Sequence, residues 1–346
     1  MFSLGSGFEF VIEATVQDGS AYSVSCMAPP AFITGTFQVD ASAFPTTRVV
    51  TLFGKDDGFG GITFPSGSLS GAVTYQMVAG MNDIVLLTAD TNTTAAKILR
   101  SQPIPTAVNG GNPVVFTASD AVTTQPITLT NIPAGFNDPG TTTVSYVTAN
   151  NTQLGLACCG QMLYTVLPPA EALPADFYRF DFSYVNPQIS GNQAVSITHS
   201  ATSAGAVMLS LPTPWTYSGP AAASFPTFSF NYSGFAAVAE YAQIQWSISS
   251  LGVHGPHTTI SVTATASFQN GVNTITIPDL SSVPGFSAPA PSGTTITWVA
   301  DIFGGTPIQF PIVPSVEPNL VAVQMLNVPP NGSTAYVQTE GTYTQP

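Results

Sequence analysis

The sequence predicts an all-β chain of tandem antiparallel β-sandwich domains, immunoglobulin-like or prealbumin-like in character. Three observations predict it. Apolar and polar residues alternate with a period of two through most of the chain. Pro and Gly, 30 of each, punctuate nearly every gap between these runs. No long stretch repeats at 3.6 residues between helix caps. The clearest case is 242–268, where Ala242, Ile244, Trp246 and Ile248 alternate with Gln243, Gln245, Ser247 and Ser249. After the loop 251–257, Ile260, Val262, Ala264, Ala266 and Phe268 alternate with Ser261, Thr263, Thr265 and Ser267. The two runs read as a long-looped antiparallel hairpin with one buried and one wet face.

In chain order, Phe8–Val16 and Ala21–Met27 form a strand pair (1–30) around the turn Gln17-Asp-Gly-Ser20, before Ala28-Pro-Pro30 breaks the sheet. A small β-domain follows over 31–105. Its strands are expected near Ile33–Val39, Arg48–Phe53, Gly71–Val78, Asp83–Ala89 and Ala95–Leu99, with Asp56–Gly61 as a flexible loop. The Pro- and Gly-dense Gln102–Pro113 is the expected domain boundary. A larger β-region, one sandwich or two, spans 114–303. Its runs lie near Val114–Ala118, Gln125–Ile132, Thr142–Asn150, Gln161–Leu167, Phe177–Tyr184, Ala194–His199 and Ala206–Leu211, then Thr227–Asn231, Ala236–Leu251, Thr258–Gln269, Asn273–Ile277 and Thr294–Phe303. Residues 304–346 read as a Pro-rich linker and terminal strands, Val321–Asn327 and Ala335–Tyr343.

Within the small domain, Ser70-Gly-Ala-Val-Thr-Tyr-Gln-Met-Val-Ala-Gly-Met-Asn-Asp-Ile-Val-Leu-Leu-Thr-Ala89 resembles the pattern of carboxypeptidase-regulatory-like (prealbumin-like) domains: Gly-x-Tyr, a strand, a Gly-containing turn, a second strand and a small residue. Ile33-Thr-Gly-Thr-Phe-Gln-Val39 resembles their first strand, and Ala79 departs from the pattern where a turn proline often sits. The resemblance covers residues 32–104. It implies a β-sandwich spacer or adhesive module and brings no catalytic residues with it.

Composition narrows the function. The chain has 346 residues, 44% of them hydrophobic, which is ample for sizeable cores. Only 7% are charged, against roughly 25% in ordinary soluble domains. No apolar run approaches the ~18 residues of a spanning helix, so no membrane span is expected. Net charge is −13, and the five cations are Arg48, Lys55, Lys97, Arg100 and Arg179. The phosphate-neutralising attraction that drives nucleic-acid binding is therefore missing. Beyond Arg179 trypsin has no site, which suits a protein living among proteases and equally suits simple compositional drift. Met1–Gly7 has neither the basic start nor the apolar run of a signal peptide. Four sequons begin at Asn92, Asn150, Asn231 and Asn331, as chance supplies in a chain this rich in Asn, Ser and Thr. The odd cysteine count allows Cys26 to pair with Cys158 or Cys159, or a strained vicinal Cys158–Cys159 bridge.

Several motifs carry candidate chemistry, and each has a plainer reading. His254 and His257 are three residues apart without a nearby acid and read as solvated loop histidines, and Asp56-Asp-Gly58 reads as a turn, because the spaced oxygen ligands of a calcium loop are missing. Gly67-Ser-Leu-Ser-Gly71 places Leu69, not a serine, at the centre of a would-be nucleophile elbow. Glu240 and Asp301 are the acids that could face each other across a groove at the roughly 5–9.5 Å glycoside hydrolysis needs. The aromatics Trp215, Tyr217, Phe225, Phe228, Phe230, Tyr232 and Phe235 are either core or, exposed, a stacking surface for sugars, with Trp215, Tyr217, Tyr232 and Phe235 as binding candidates.

The sequence thus points to a non-catalytic secreted or surface-exposed structural protein, without metal or cofactor, that forms filaments or matrix by strand pairing. Its assembly strands are expected at Phe8, Phe10 and Ile12 or at Tyr336 and Val337, with self-association, surface proteins or glycans as partners. Adhesion to carbohydrate or a cell surface, or a glycan-directed hydrolase, are the alternatives.

Overall fold

The computed structural model describes residues 32–90, 92–136, 138–186, 193–214, 219–229, 239–248, 258–265, 274–277, 279, 292–305 and 331–346; for 138–141, 239–248, 258–265, 275, 303 and 305 it describes the backbone alone. Strands dominate, and no α-helix occurs among the described residues. The first seven strands are β1 (Phe32–Asp40), β2 (Val49–Phe53), β3 (Phe59–Thr63), β4 (Ser70–Val78), β5 (Gly80–Ala89), β6 (Thr93–Ile104) and β7 (Val114–Val115). They form one sheet in the order β6-β5-β2-β3-β4-β1-β7, antiparallel except where β7 joins β1. Alternation explains the pairing. In β4, Val73, Tyr75 and Met77 are buried while Ala72, Thr74 and Gln76 face solvent. Phe37, Val50, Leu52, Val73, Tyr75, Met77, Ile84 and Leu86 form the first core with Val108, Val114 and Phe116.

One expectation changes here. The stretch Asp56–Gly61 is not a loop throughout. Asp56 and Asp57 take left-handed backbone angles of φ 50° and 62° in a tight turn, and β3 begins at Phe59. The glycines that read as a loop are demanded by a close approach instead. A Cβ on Gly60 would stand 2.2 Å from the Thr74 carbonyl oxygen and 2.7 Å from the Tyr75 Cα. Gly60→Ala should therefore cost roughly 1–3 kcal/mol, read as a lower urea midpoint at unchanged slope; an unchanged midpoint would contradict the contact. The stretch Gln102–Pro113, the expected boundary, is itself tied to the first sheet. Val108 is buried in the first core, and β7, just beyond it, returns to pair with Val39 and Asp40.

The remaining strands are β8 (Thr123–Thr130), β9 (Asp138–Val147), β10 (Gln153–Cys158), β11 (Leu163–Val166), β12 (Phe177–Asn186), β13 (Gln193–Ala201), β14 (Val207–Ser210), β15 (Thr227–Ser229), β16 (Ala239–Ile248), β17 (Thr258–Thr265), β18 (Thr274–Thr276), β19 (Thr295–Gly305) and β20 (Ser333–Thr344). Eight of them form an antiparallel sheet ordered β10-β9-β12-β13-β20-β19-β16-β17. The strips β11-β8-β14 and β15-β18 supply further residues to the core on its apolar face. The expected hairpin is present: β16 pairs with β17 from Tyr241 opposite Thr265 to Ile248 opposite Thr258. Strand β10 adds to the alternating runs: it is short, holds Gly155, and carries a bulge between Gly155 and Ala157.

The second core contains an aromatic row. Tyr146 and Tyr178 meet edge to face at 5.0 Å, Tyr178 and Tyr164 at 5.6 Å, and Tyr164 and Phe180 at 5.1 Å. Trp298 is buried, edge-on to Phe228 at 5.7 Å. Val85, Leu87, Ala96 and Ile98 also belong to this core, although they come from β5 and β6 of the first sheet. Strand β5 is accordingly buried on both faces from Asn82 to Thr88, with Ile84 and Leu86 turned to one core and Val85 and Leu87 to the other.

Candidate functional site

Converging charge marks one place, the junction of the two cores. Between β5 and β6 the register shifts so that the stretch from Asn82 to Ile84 opposes that from Gln102 to Leu99. This bulge sets Asp83 against Arg100 and Ser101, and re-aims their polar groups. Arg100 Nη1 lies 3.2 Å from Asp83 Oδ2, and Nη2 lies 2.5 Å from Asp176 Oδ2. Nη2 also donates to the Glu171 carbonyl. Asp176 Oδ2 accepts from Tyr146 Oη at 2.6 Å and the Leu173 amide at 2.9 Å, and Oδ1 accepts from the Ala149 amide at 2.9 Å. Asp83 Oδ1 takes the Ser101 amide at 2.8 Å and Asn150 Nδ2 at 2.9 Å. Beside it Glu171 Oε2 accepts from the Ile98 amide at 2.6 Å, and Lys97 Nζ pairs with Asp120 at 3.0 Å.

Electrostatics follow from this wiring. Burial works to raise the Asp176 pKa, but the hydrogen bonds from Arg100, Tyr146, Leu173 and Ala149 outweigh it and hold the carboxyl below its ordinary value. Burial, aided by the bond to Asp176, raises the Tyr146 phenol. Burial also raises Glu171 against the bond from the Ile98 amide. Every oxygen of Asp176 is occupied by donors from its own chain, so the cluster is built to hold the two sheets together rather than to accept a proton from a substrate.

A second polar feature is Asp301 in β19. It is 2% exposed, its Oδ1 has no hydrogen-bond partner, and its register neighbours are Gln243 and Gln338. Burial pushes its pKa up to about 7, with the nearby Glu340 charge adding to the effect and Gln338 opposing it. That is the range of a general acid. Asp301 is sealed from solvent, however, and sits in the middle of β19. Glu240 is the extra residue of the bulge between Ala239 and Tyr241, three positions along the strand from Gln243, which faces Asp301. This register does not build a carboxylate pair across an open groove.

Of the other candidates, Trp215, Tyr217, Tyr232, Phe235, Phe8, Phe10, Ile12, His254 and His257 lie outside the described residues. Phe225 and Phe228, from the same aromatic segment, pack into the second core. His199 is fixed in the sheet, with Nδ1 2.8 Å from Ser333 Oγ, and burial lowers its pKa. A shallow hollow of about 250 Å³ lies beside it, lined by Ala201, Gly205 and Met208. Tyr336 and Val337 are in β20, which is hydrogen-bonded to β13 on one side and β19 on the other. Both edges of that strand are occupied, so the expected role of Tyr336 and Val337 in pairing with a neighbour does not survive: they have no free backbone edge to offer. Among the described residues, no three His, Cys, Asp or Glu side chains converge as metal ligands, and no helix is long and apolar enough to cross a membrane.

One edge left open among the described residues belongs to β1. Among those residues, only Val39 and Asp40 have a partner on its outer side, the short β7. Phe116 donates its amide to the Asp40 carbonyl, so the backbone groups of Asp40 point away from β4. By strand alternation those of Phe32, Thr34, Thr36 and Gln38 do the same. The side chains of these four residues are also exposed. They continue across β4 as an uncharged surface in which Thr34 faces Gln76, Thr36 faces Thr74 and Gln38 faces Ala72. The sequence signal for this edge was the clean alternation of Ile33–Val39, but alternation does not say which side of a strand lacks a neighbour. No protein-family model matches the sequence, and no curated protein matches it either.

Proposed function

We propose that this chain is a non-catalytic structural protein of the extracellular space or cell surface, whose copies associate by β-strand pairing into a filament or matrix. In this reading its units are tandem sandwiches of immunoglobulin-like or prealbumin-like character. The observation that carries the proposal is the outer edge of β1, which has no partner from Phe32 to Gln38 among the described residues. Natural edges are usually blunted by Lys, Pro or inward charge. This one carries Phe32, Thr34, Thr36 and Gln38, and no charged side chain. Each outward amide and carbonyl can be satisfied by a strand from another copy, and little like-charge repulsion opposes its approach. Phe8–Val16 of a neighbour is the complementary segment, since Phe8, Phe10 and Ile12 fall on one face of an extended chain. Low charge and the absence of tryptic sites beyond Arg179 support an external location.

The test compares wild type with the Thr34→Lys/Thr36→Lys double variant by light scattering over a range of concentrations. Both side chains point to solvent, so the variant should keep the wild-type circular dichroism and melting temperature. Wild type should assemble and the variant remain monomeric. Equal assembly of both, or a wild type that stays monomeric throughout, would remove the β1 edge as the assembly surface.

A further inference from the structure

Cys158 and Cys159 close β10 and open the turn that leads to β11. Both thiols are free and exposed, and the Cys159 thiol is directed at the Cys158 sulfur. The turn backbone is defined on both sides. Cys159 takes the left-handed conformation at φ 61°, its amide donates to the Thr142 carbonyl at 3.0 Å, and the Gln161 amide donates to the Cys158 carbonyl at 3.2 Å. A non-glycine residue in that conformation is held there by its surroundings. The side-chain contact with Cys159 raises the Cys158 thiol pKa. Neither sulfur is shielded by packing, and no third metal-ligating group joins them among the described residues.

From this geometry we infer that Cys158 and Cys159 form a two-electron redox site, closing to a vicinal disulfide by exchange with a small-molecule disulfide of the glutathione class. One thiolate attacks the small disulfide, forming a mixed disulfide and expelling one small thiolate. The neighbouring thiolate then attacks the protein-bound sulfur, closing the ring and expelling the second. The two cysteine protons end on the two small thiols, so the cysteines lose two electrons and the small disulfide gains them. Ring closure between adjacent residues bends the peptide that joins them, so the oxidation state acts on the backbone at the end of β10. That strand is the edge of the eight-stranded sheet and is already interrupted by its bulge, with β9 its sole sheet partner among the described residues. Its hold on β9 is therefore the property this site controls.

Trypsin isolates the site. Cleavage after Arg100 and Arg179 releases Ser101–Arg179, which holds both cysteines, while Cys26 leaves in Met1–Arg48. The full-length protein is treated with oxidised glutathione, alkylated and digested without reductant. The 101–179 peptide should appear about 2 Da lighter than its reduced form, unalkylated and without adduct, and dithiothreitol should restore two alkylatable thiols. A Cys26→Ser variant should behave identically, and a Cys159→Ser variant should instead keep one stable glutathione adduct. A peptide joined to Met1–Arg48, a persistent adduct on the wild type, or two thiols that remain alkylatable would each overturn the inference.

Discussion

Arg100→Met should destabilise the protein by about 3–5 kcal/mol, the range seen when one partner of a buried ionic cluster is removed. The guanidinium is 23% exposed, whereas the Asp83 and Asp176 carboxylates it joins are 2% and 1% exposed. Without it two carboxylates share a buried junction with no cation between them. The pH dependence gives a second reading. The folded-state pKa of Asp176 lies below its ordinary value, so its contribution is present above the unfolded value near 3.8 and fades as pH falls through the folded one. Wild type should lose stability on acidification below about pH 4, and the variant should lose less over the same interval because it starts without the pair. Urea titrations at several pH values measure both. A variant as stable as wild type at neutral pH would mean that the junction holds without its cation.

Asp301→Asn should do the opposite and stabilise the protein at pH 8 by about 2–4 kcal/mol. The carboxyl has a folded pKa of about 7 against an ordinary 3.8, a gap worth about 4 kcal/mol at most, at roughly 1.4 kcal/mol per tenfold change. Below about pH 3 the acid is protonated in both folded and unfolded states, and no penalty arises. As pH rises through 3.8 to 7 the unfolded chain ionises while the folded one resists, and wild-type stability declines; above about 7 the loss is complete. An asparagine does not titrate, so the two stability curves should run together below about pH 3 and diverge towards pH 8. Parallel curves across that range would show that Asp301 ionises freely in the folded protein. Together the two aspartates favour a stability optimum at about pH 4, where Asp176 is still ionised and Asp301 is still protonated in the folded chain.

The strands whose residues alternate cleanly were legible from sequence. β4, β12, β19 and β20 appear within two residues of where alternation puts them, because a half-buried sheet imposes a period of two directly on side-chain chemistry. β3 and β10 were not, since Gly60, Gly61 and Gly155 signal loops locally, while the reason for Gly60 and Gly61 lies in neighbouring strands. The junction cluster was hidden for a different reason. Asp83, Arg100, Tyr146 and Asp176 are far apart in sequence and meet through a bulge and a tertiary contact. A usable clue was present in Lys97 and Arg100, two of the chain's five cations, which sit three residues apart in one strand and call for buried counter-charges. Asp301 was visible as an acid in an alternating run, but its burial depends on what covers that face of the sheet.

Strand β5 gives this chain a mechanical character that its tandem appearance conceals. Side by side along one strand, Ile84 and Leu86 serve one core while Val85 and Leu87 serve the other. A chain of independent beads would yield to a pulling force one bead at a time, each rupture leaving its neighbour whole. Here the partition between the compartments is a weight-bearing wall: removing it bares apolar surface on both sides at once. Heat, denaturant or tension should therefore meet a single cooperative event across the whole body, with no stable half left standing.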